Sequence, residues 1–267
     1  MTSEFSKDNP QPTRNFYDLV KIMNILRNEC PWDKKQTHES IRDLMVEEIY
    51  EAIEAIDQQD FDELKKELGD ILLHVLFHAE MAHEKSRFSI DDVIFGIQDK
   101  LIRRHPHVFG DVDAKDSDTV TRNWESIKQK EKDRKSVLQG VPETLPGLLK
   151  AQRMQEKAGA VGFDWKKWPE AWKKLEEELE EFQEALQDGN EVEKEKEFGD
   201  LIFSLVNVGR LAGLDAENSL RLTNTKFKKR FTYIEQKLAV LGKTPSDATL
   251  EEMDDLWNES KKLAEFR

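Results

Sequence analysis

The chain has 267 residues, a formal net charge of −14, 36% charged residues and a single cysteine. The acidity argues against direct nucleic-acid binding, which needs a basic stripe to displace counterions; the lone Cys30 excludes an intramolecular disulfide and fits a reducing, cytoplasmic setting. No segment approaches the roughly 20 apolar residues of a membrane span, residues 1–13 lack the apolar core of a signal peptide, and alternating β-branched runs are too scarce for a substantial sheet.

In chain order, residues 1–13 are polar, carry Pro10 and Pro12, and read as a flexible tail. Helical periodicity then runs through Ile41, Met45, Ile49, Ala52, Ile53 and Ile56, breaks at Gln58–Asp60, and resumes through Leu64, Leu68, Ile71, Leu72, Val75, Leu76 and Ala79. Such a pattern predicts a helix hairpin with a short turn. Lys128–Lys135 reads as an exposed helix end, and 137–149, with Pro142 and Pro146, as a linker. A second hairpin follows, with Leu175, Leu179, Phe182 and Leu186 before the Asp188-Gly189-Asn190 break and Phe198, Leu201, Ile202, Leu205 and Val208 after it. The expected organisation is all-α: a helical domain over 14–136, the linker, and a second helical domain over 150–267.

The two domains repeat one another. Glu47, Glu48 and Glu51 recur as Glu177, Glu178 and Glu181, and Glu67, Gly69 and Asp70 as Glu197, Gly199 and Asp200, all at an offset of 130. Lys100-x-x-x-Arg104 recurs as Lys226-x-x-x-Arg230, and Trp124-x-x-x-Lys128 as Trp257-x-x-x-Lys261. Order is kept and spacing drifts only in the connections, as in a duplicated helical unit.

Acidic residues on a helix are ordinarily a solvated face, but a solvated face has no reason to reproduce identities in register. Positions three apart share a helix face, so Glu48 with Glu51 and Glu67 with Asp70 project side by side, and an antiparallel hairpin brings the four carboxylates together. The same holds for Glu178, Glu181, Glu197 and Asp200. Converging carboxylates repel unless they bind cations, and an all-oxygen set selects Mg²⁺ or Mn²⁺. Mg²⁺ commonly shares a substrate phosphate, which points to phosphoryl chemistry. Gly69 and Gly199 stand mid-helix at a cost of about 1 kcal/mol against Ala, for which close helix packing beside the site is the expected reason. Glu54, Glu63, Glu176, Glu184 and Glu193 read as plain surface. Lys100 with Arg104, and Lys226 with Arg230, form i,i+4 clamps suited to a polyphosphate, and Trp124 and Trp257 can stack on a base. His74 and His78 have a ligand-like spacing, yet Ser204 and Val208 occupy the equivalent positions, so both read as local packing or hydrogen bonding.

The run Cys30-Pro-Trp-Asp33, the two Glu-Glu-x-x-Glu…Glu-x-x-Asp signatures, Lys-Leu-Ile-Arg-Arg-His-Pro-His-Val-Phe at 100–109 and Val-Gly-Phe-Asp-Trp at 161–165 together resemble the MazG family, over nearly the whole chain after residue 13. The resemblance implies two tandem MazG-type helical bundles, a homodimer, dependence on Mg²⁺ with Mn²⁺ as substitute, and hydrolysis of nucleoside and deoxynucleoside triphosphates to monophosphate and pyrophosphate. It implies metal ligation by Glu178, Glu181, Glu197 and Asp200, nucleotide contact by Lys226, Arg230, Trp257 and Lys261, and the same roles for Glu48, Glu51, Glu67, Asp70, Lys100, Arg104, Trp124 and Lys128. The C-terminal copy is expected to be the main catalytic one, with Glu178 and Glu197 central and Glu177 placed to take a proton from the attacking water. A narrow pyrophosphatase for dUTP and a non-catalytic nucleotide sensor are the rival readings. A di-iron bundle is disfavoured, because it would want Glu-x-x-His where this chain has Glu-x-x-Asp.

Overall fold

The computed structural model describes residues 5–8, 10–110, 120, 127 and 136–263; Trp124 and Lys128 lie outside them. The described residues form ten α-helices and two short 3₁₀ turns, and the chain divides into two compact units, Met1–Val120 and Thr121–Arg267.

In the first unit α1 is Phe16–Glu29, α2 Arg42–Gln58, α3 Phe61–Glu84, α4 Ile90–Arg104 and α5 Pro106–Phe109. Helices α2 and α3 form the predicted hairpin, with α1 and α4 packed on α3. Met23, Ile41, Leu76, Phe77 and Met81 make the core, flanked by Phe16, Leu19, Val20 and Ile90. Arg27 is buried at the end of α1, donating from Nε and Nη2 to the two Glu84 carboxylate oxygens at 2.7 Å and from Nη1 to the Asp33 and Gln36 carbonyls. This fork ties the Pro31-Trp32-Asp33 loop to the end of α3.

In the second unit, turns and bends occupy 136–146 before α6, Gly147–Gly159. There follow α7 (Trp168–Asp188), α8 (Glu191–Leu211), α9 (Ala216–Val240) and α10 (Leu250–Ser260). Helices α7 and α8 form the second hairpin, α6 packs on α8, and α9 meets α10 and α6. Its core is smaller: Ala171, Leu175 and Val208, with Leu201 and Leu211 against them.

Both hairpins turn in the same way. A left-handed residue ends the first helix and an Asx side chain caps the second. In the first unit these are Gln59 (φ 56°) and Asp60, which accepts from the Asp62 and Glu63 amides; in the second they are Gly189 (φ 77°) and Asn190, which accepts from Val192. A side chain in the left-handed region costs roughly 1–2 kcal/mol that glycine avoids. After the extra chain entropy of an added glycine is subtracted, Gln59→Gly is expected to stabilise the first unit by about 0.5–1 kcal/mol, measured as a rise in its urea midpoint.

The apolar stripes are only partly covered. Leu68, Leu72, Leu179, Phe198 and Leu205 all remain exposed within their own units. None of the described helices is long and apolar enough to cross a membrane.

Candidate functional site

Each hairpin carries a carboxylate centre at mid-length. Glu48 on α2 meets Glu67 and Asp70 on α3, and Glu178 on α7 meets Glu197 and Asp200 on α8. In each group the three residues offer one oxygen apiece, all within 4.8 Å of one another. The most buried member sits on opposite helices in the two units: Glu67 in the first, Glu178 in the second, each 6% exposed.

Glu51 and Glu181 stand outside these groups of three but act on them. Burial pushes the Glu67 carboxyl up to about 7, with the Glu51 and Glu63 charges and a hydrogen bond to Glu48 adding to it. Glu48 is raised too, first by burial and then by Asp70 and Glu51. Burial also raises Glu181, with Glu178, Glu177 and Glu197 contributing and Lys174 opposing. Like charges forced together and desolvated, with Glu67 pushed up to about 7, are what a divalent cation relieves. Only oxygen donors are present in each group of three, so the residues fit Mg²⁺.

Beside Glu51 and Glu67 a hollow of about 400 Å³ opens, lined also by Glu54, Gln58, Asp60 and Glu63. Glu54, which is exposed, and Glu63, which is half-buried, both expected to be plain surface, line this hollow. Both recur at the same offset, as Glu184 and Glu193, and the ion pairs Lys66–Glu63 and Lys196–Glu193 repeat as well.

The expected close packing at the two mid-helix glycines is corrected by the structure. A Cβ at Gly69 or Gly199 meets no atom within 4 Å. Both face open space among the described residues of their units.

Lys174 is a residue that repeat-based reasoning missed. Its ammonium lies 2.7 Å from Glu177 and 2.7 Å from Glu178, so Glu177 points at the lysine and stands apart from the three converging carboxylates. The i,i+3 and i,i+4 spacing was legible; the repeat hid it, because the matching position is Leu44.

The basic and aromatic residues of the second unit form a cluster of their own. The Arg230 guanidinium lies 5.5 Å from the Trp257 ring centre, and Phe227 packs 5.3 Å from the same ring. Lys226, one turn before Arg230, is exposed, as is Lys261, which donates to Asn258 at 2.8 Å. In the first unit Lys100 is exposed and Arg104 buried near the end of α4.

The family model for the MazG nucleotide pyrophosphohydrolase domain matches residues 36–109 and again 170–234. The chain belongs to the MazG family. Both carboxylate centres and both Lys/Arg pairs fall inside the matched segments, while Trp257 and Lys261 lie beyond the second. The nucleoside triphosphate pyrophosphohydrolase/pyrophosphatase MazG of Thermotoga maritima is 45% identical over 250 residues, covering 92% of this chain and 95% of the relative. The nucleoside triphosphate pyrophosphohydrolase of Escherichia coli K12 is 41% identical over 252 residues, covering 91% and 96%. YabN of Bacillus subtilis is 49% identical over 254 residues; the chain spans 52% of its length. Two MazG segments in one chain, each on a helix hairpin, make this a two-repeat all-α member.

Proposed function

We propose that this MazG protein hydrolyses nucleoside and deoxynucleoside triphosphates to monophosphate and pyrophosphate in a Mg²⁺-dependent reaction, as cytoplasmic clearance of nucleotides. The observation that carries the reading is the duplicated group of three carboxylates with oxygens within 4.8 Å, on hairpins whose relatives are named for this activity.

Glu178, Glu181, Glu197 and Asp200 would hold the metal in the second unit, and Glu48, Glu51, Glu67 and Asp70 in the first. Mg²⁺ bound there supplies charge neutralisation for the triphosphate and makes water more acidic. The protein's own groups do the rest. Glu177, held by Lys174 apart from the three carboxylates, would have to turn from that lysine toward the centre to take a proton from the water that attacks the α-phosphorus. Lys226, Arg230 and Lys261 hold the phosphates and stabilise the charge that develops on departing pyrophosphate. Trp257, already packed against Arg230 and Phe227, offers a face to the base. Lys100 and Arg104 are the first unit's phosphate-binding pair, with Trp124 and Lys128 as the counterparts of Trp257 and Lys261.

The test is product analysis. Purified protein with excess Mg²⁺ and a panel of triphosphates should yield monophosphate and pyrophosphate by anion-exchange chromatography. Diphosphate with orthophosphate, or binding without turnover, would overturn α-phosphorus attack and favour a sensor.

The same reading includes a homodimer. Its support is the uncovered apolar face of α3 and α8, on which Leu68, Leu72, Phe198 and Leu205 are exposed beside the open spaces at Gly69 and Gly199; uncovered apolar faces of this kind mark association surfaces. Gly199→Arg is expected to leave the isolated fold intact and weaken self-association at least about thirtyfold, the ~2 kcal/mol of one interfacial hot spot. Sedimentation velocity reads this, and an unchanged dissociation constant would place the interface elsewhere.

A further inference from the structure

The two centres share their carboxylates and differ in the basic group beside them. In the second unit that group is Lys174, which clamps Glu178 from one turn earlier on α7 at 2.7 Å. The first unit has Leu44 there, which brings no charge. Its basic group comes from the opposite helix as His74, where the second unit has Ser204.

His74 lies one turn beyond Asp70 and two beyond Glu67, on the same face of α3. It is 8% exposed, its Nδ1 is buried with no hydrogen-bond partner among the described residues, and it stands close enough to Glu48 to lower that carboxyl. A buried ring nitrogen without a partner is costly and calls for an explanation. The neighbouring His78 needs none, since its Nδ1 lies 2.8 Å from Nδ1 of His38 with the rings stacked. The expectation of local packing or hydrogen bonding suits His78 and also the His74 ring, whose centre lies 6.4 Å from that of His78, but it leaves the His74 Nδ1 without an account.

Taking the carboxylate centres as metal sites, as proposed above, we infer that the first centre is a mixed nitrogen–oxygen site. In it, His74 joins Glu48, Glu67 and Asp70 on a first-row transition ion such as Mn²⁺, Co²⁺ or Zn²⁺, while the second centre is an oxygen-only Mg²⁺ site. An imidazole nitrogen favours such ions over Mg²⁺, which prefers oxygen and keeps its water. The first centre also lacks the ammonium that competes for its carboxylate in the second. The imidazole is not among the donor atoms lying within 4.8 Å of one another, so ligation entails a side-chain rotation on loading.

The test uses full-length protein carrying Glu197→Gln, which disables the second centre, with Mn²⁺ as the probe. Three-pulse electron spin echo modulation reads a directly bound histidine nitrogen. Modulation from ¹⁴N is expected in this protein, is replaced by the ¹⁵N pattern after labelling with ¹⁵N-histidine, persists when His78→Gln is added, and is lost when His74→Gln is added. The last change should also weaken Mn²⁺ binding about ten- to a hundredfold while moving Mg²⁺ binding far less. Bound Mn²⁺ with no nitrogen modulation, or modulation that survives His74→Gln, overturns the inference and leaves the metal reading standing. The labelled protein needs no substitution at His74, so a folding defect in that variant would not hide the absence of a nitrogen ligand. If the free-ion Mn²⁺ signal is undiminished by stoichiometric wild-type protein, the metal reading itself falls, and this inference with it.

Discussion

Replacing Glu197 with Gln is expected to lower pyrophosphate release by about a hundredfold or more and to leave the far-ultraviolet circular dichroism unchanged. The substitution keeps the shape of the side chain and removes one negative charge from a group whose oxygens lie within 4.8 Å of one another. Loss of a ligand charge weakens metal binding and the electrostatic support it gives to the phosphates. Glu197 is partly exposed on α8, so no buried hydrogen-bond network is broken and the helix persists. Glu67→Gln is the matching change in the first unit. If the second unit carries turnover, as the family resemblance implies, Glu67→Gln leaves most of the activity and the double variant resembles Glu197→Gln. Equal halves lost to each single change would instead assign turnover to both centres. Full activity in the double variant would remove the carboxylate centres from the mechanism altogether.

The carboxylate pattern was legible because two separate constraints act on it. Helical spacing places Glu67 and Asp70 on one face, and duplication reproduces them at Glu197 and Asp200. The turn was legible too, since Asp188-Gly189-Asn190 spells out a left-handed C-terminus followed by an Asx cap. What the repeat could not deliver were the residues that break it. Lys174 stands against the buried glutamate of α7, and His74 is near enough to Glu48 of α2 to lower its carboxyl, yet a search for matching identities discards both. Only side-chain proximity brings them back.

The apolar residues failed for a different reason. A period of 3.6 marks Leu68, Leu72, Leu179 and Phe198 as belonging to a buried stripe, but periodicity does not say which molecule does the burying. Within this chain they remain exposed. The reading of Gly69 and Gly199 failed in the same way: a helix glycine suggests close approach, and no neighbour lies within 4 Å of a Cβ at either position. Local pattern thus located the site and its helices, while the surroundings that complete it depend on contacts the pattern does not encode.

Metal-free protein should lose stability in the first unit as the pH rises from about 4.5 to 7, and Glu67→Gln should remove most of that loss. Glu67 titrates at about 7 in the fold against 4.5 ordinarily. Below 4.5 the carboxyl is neutral in both the folded and unfolded chains, and the native state carries no penalty from it. Between the two values the unfolded chain has released the proton while the folded chain still holds it, so stability falls with pH. Above 7 both states are ionised and the repulsion from Glu51, Glu63 and Glu48 is fully present. The glutamine variant, neutral throughout, should therefore melt a few degrees above wild type at pH 8 and at the same temperature near pH 4. Glu48 is raised in the same direction and sits against Glu67, so the two effects are coupled. Mg²⁺ should reverse the order: at pH 8 and saturating metal the wild type gains stability through binding to the native state alone, and the variant, short of one ligand, gains less. Melting curves of both proteins at pH 4, 6 and 8, with and without Mg²⁺, decide the matter. A wild type more stable than Glu67→Gln in metal-free buffer at pH 8 would mean that the carboxylates of the first centre are not in conflict, and that it needs no cation to hold them.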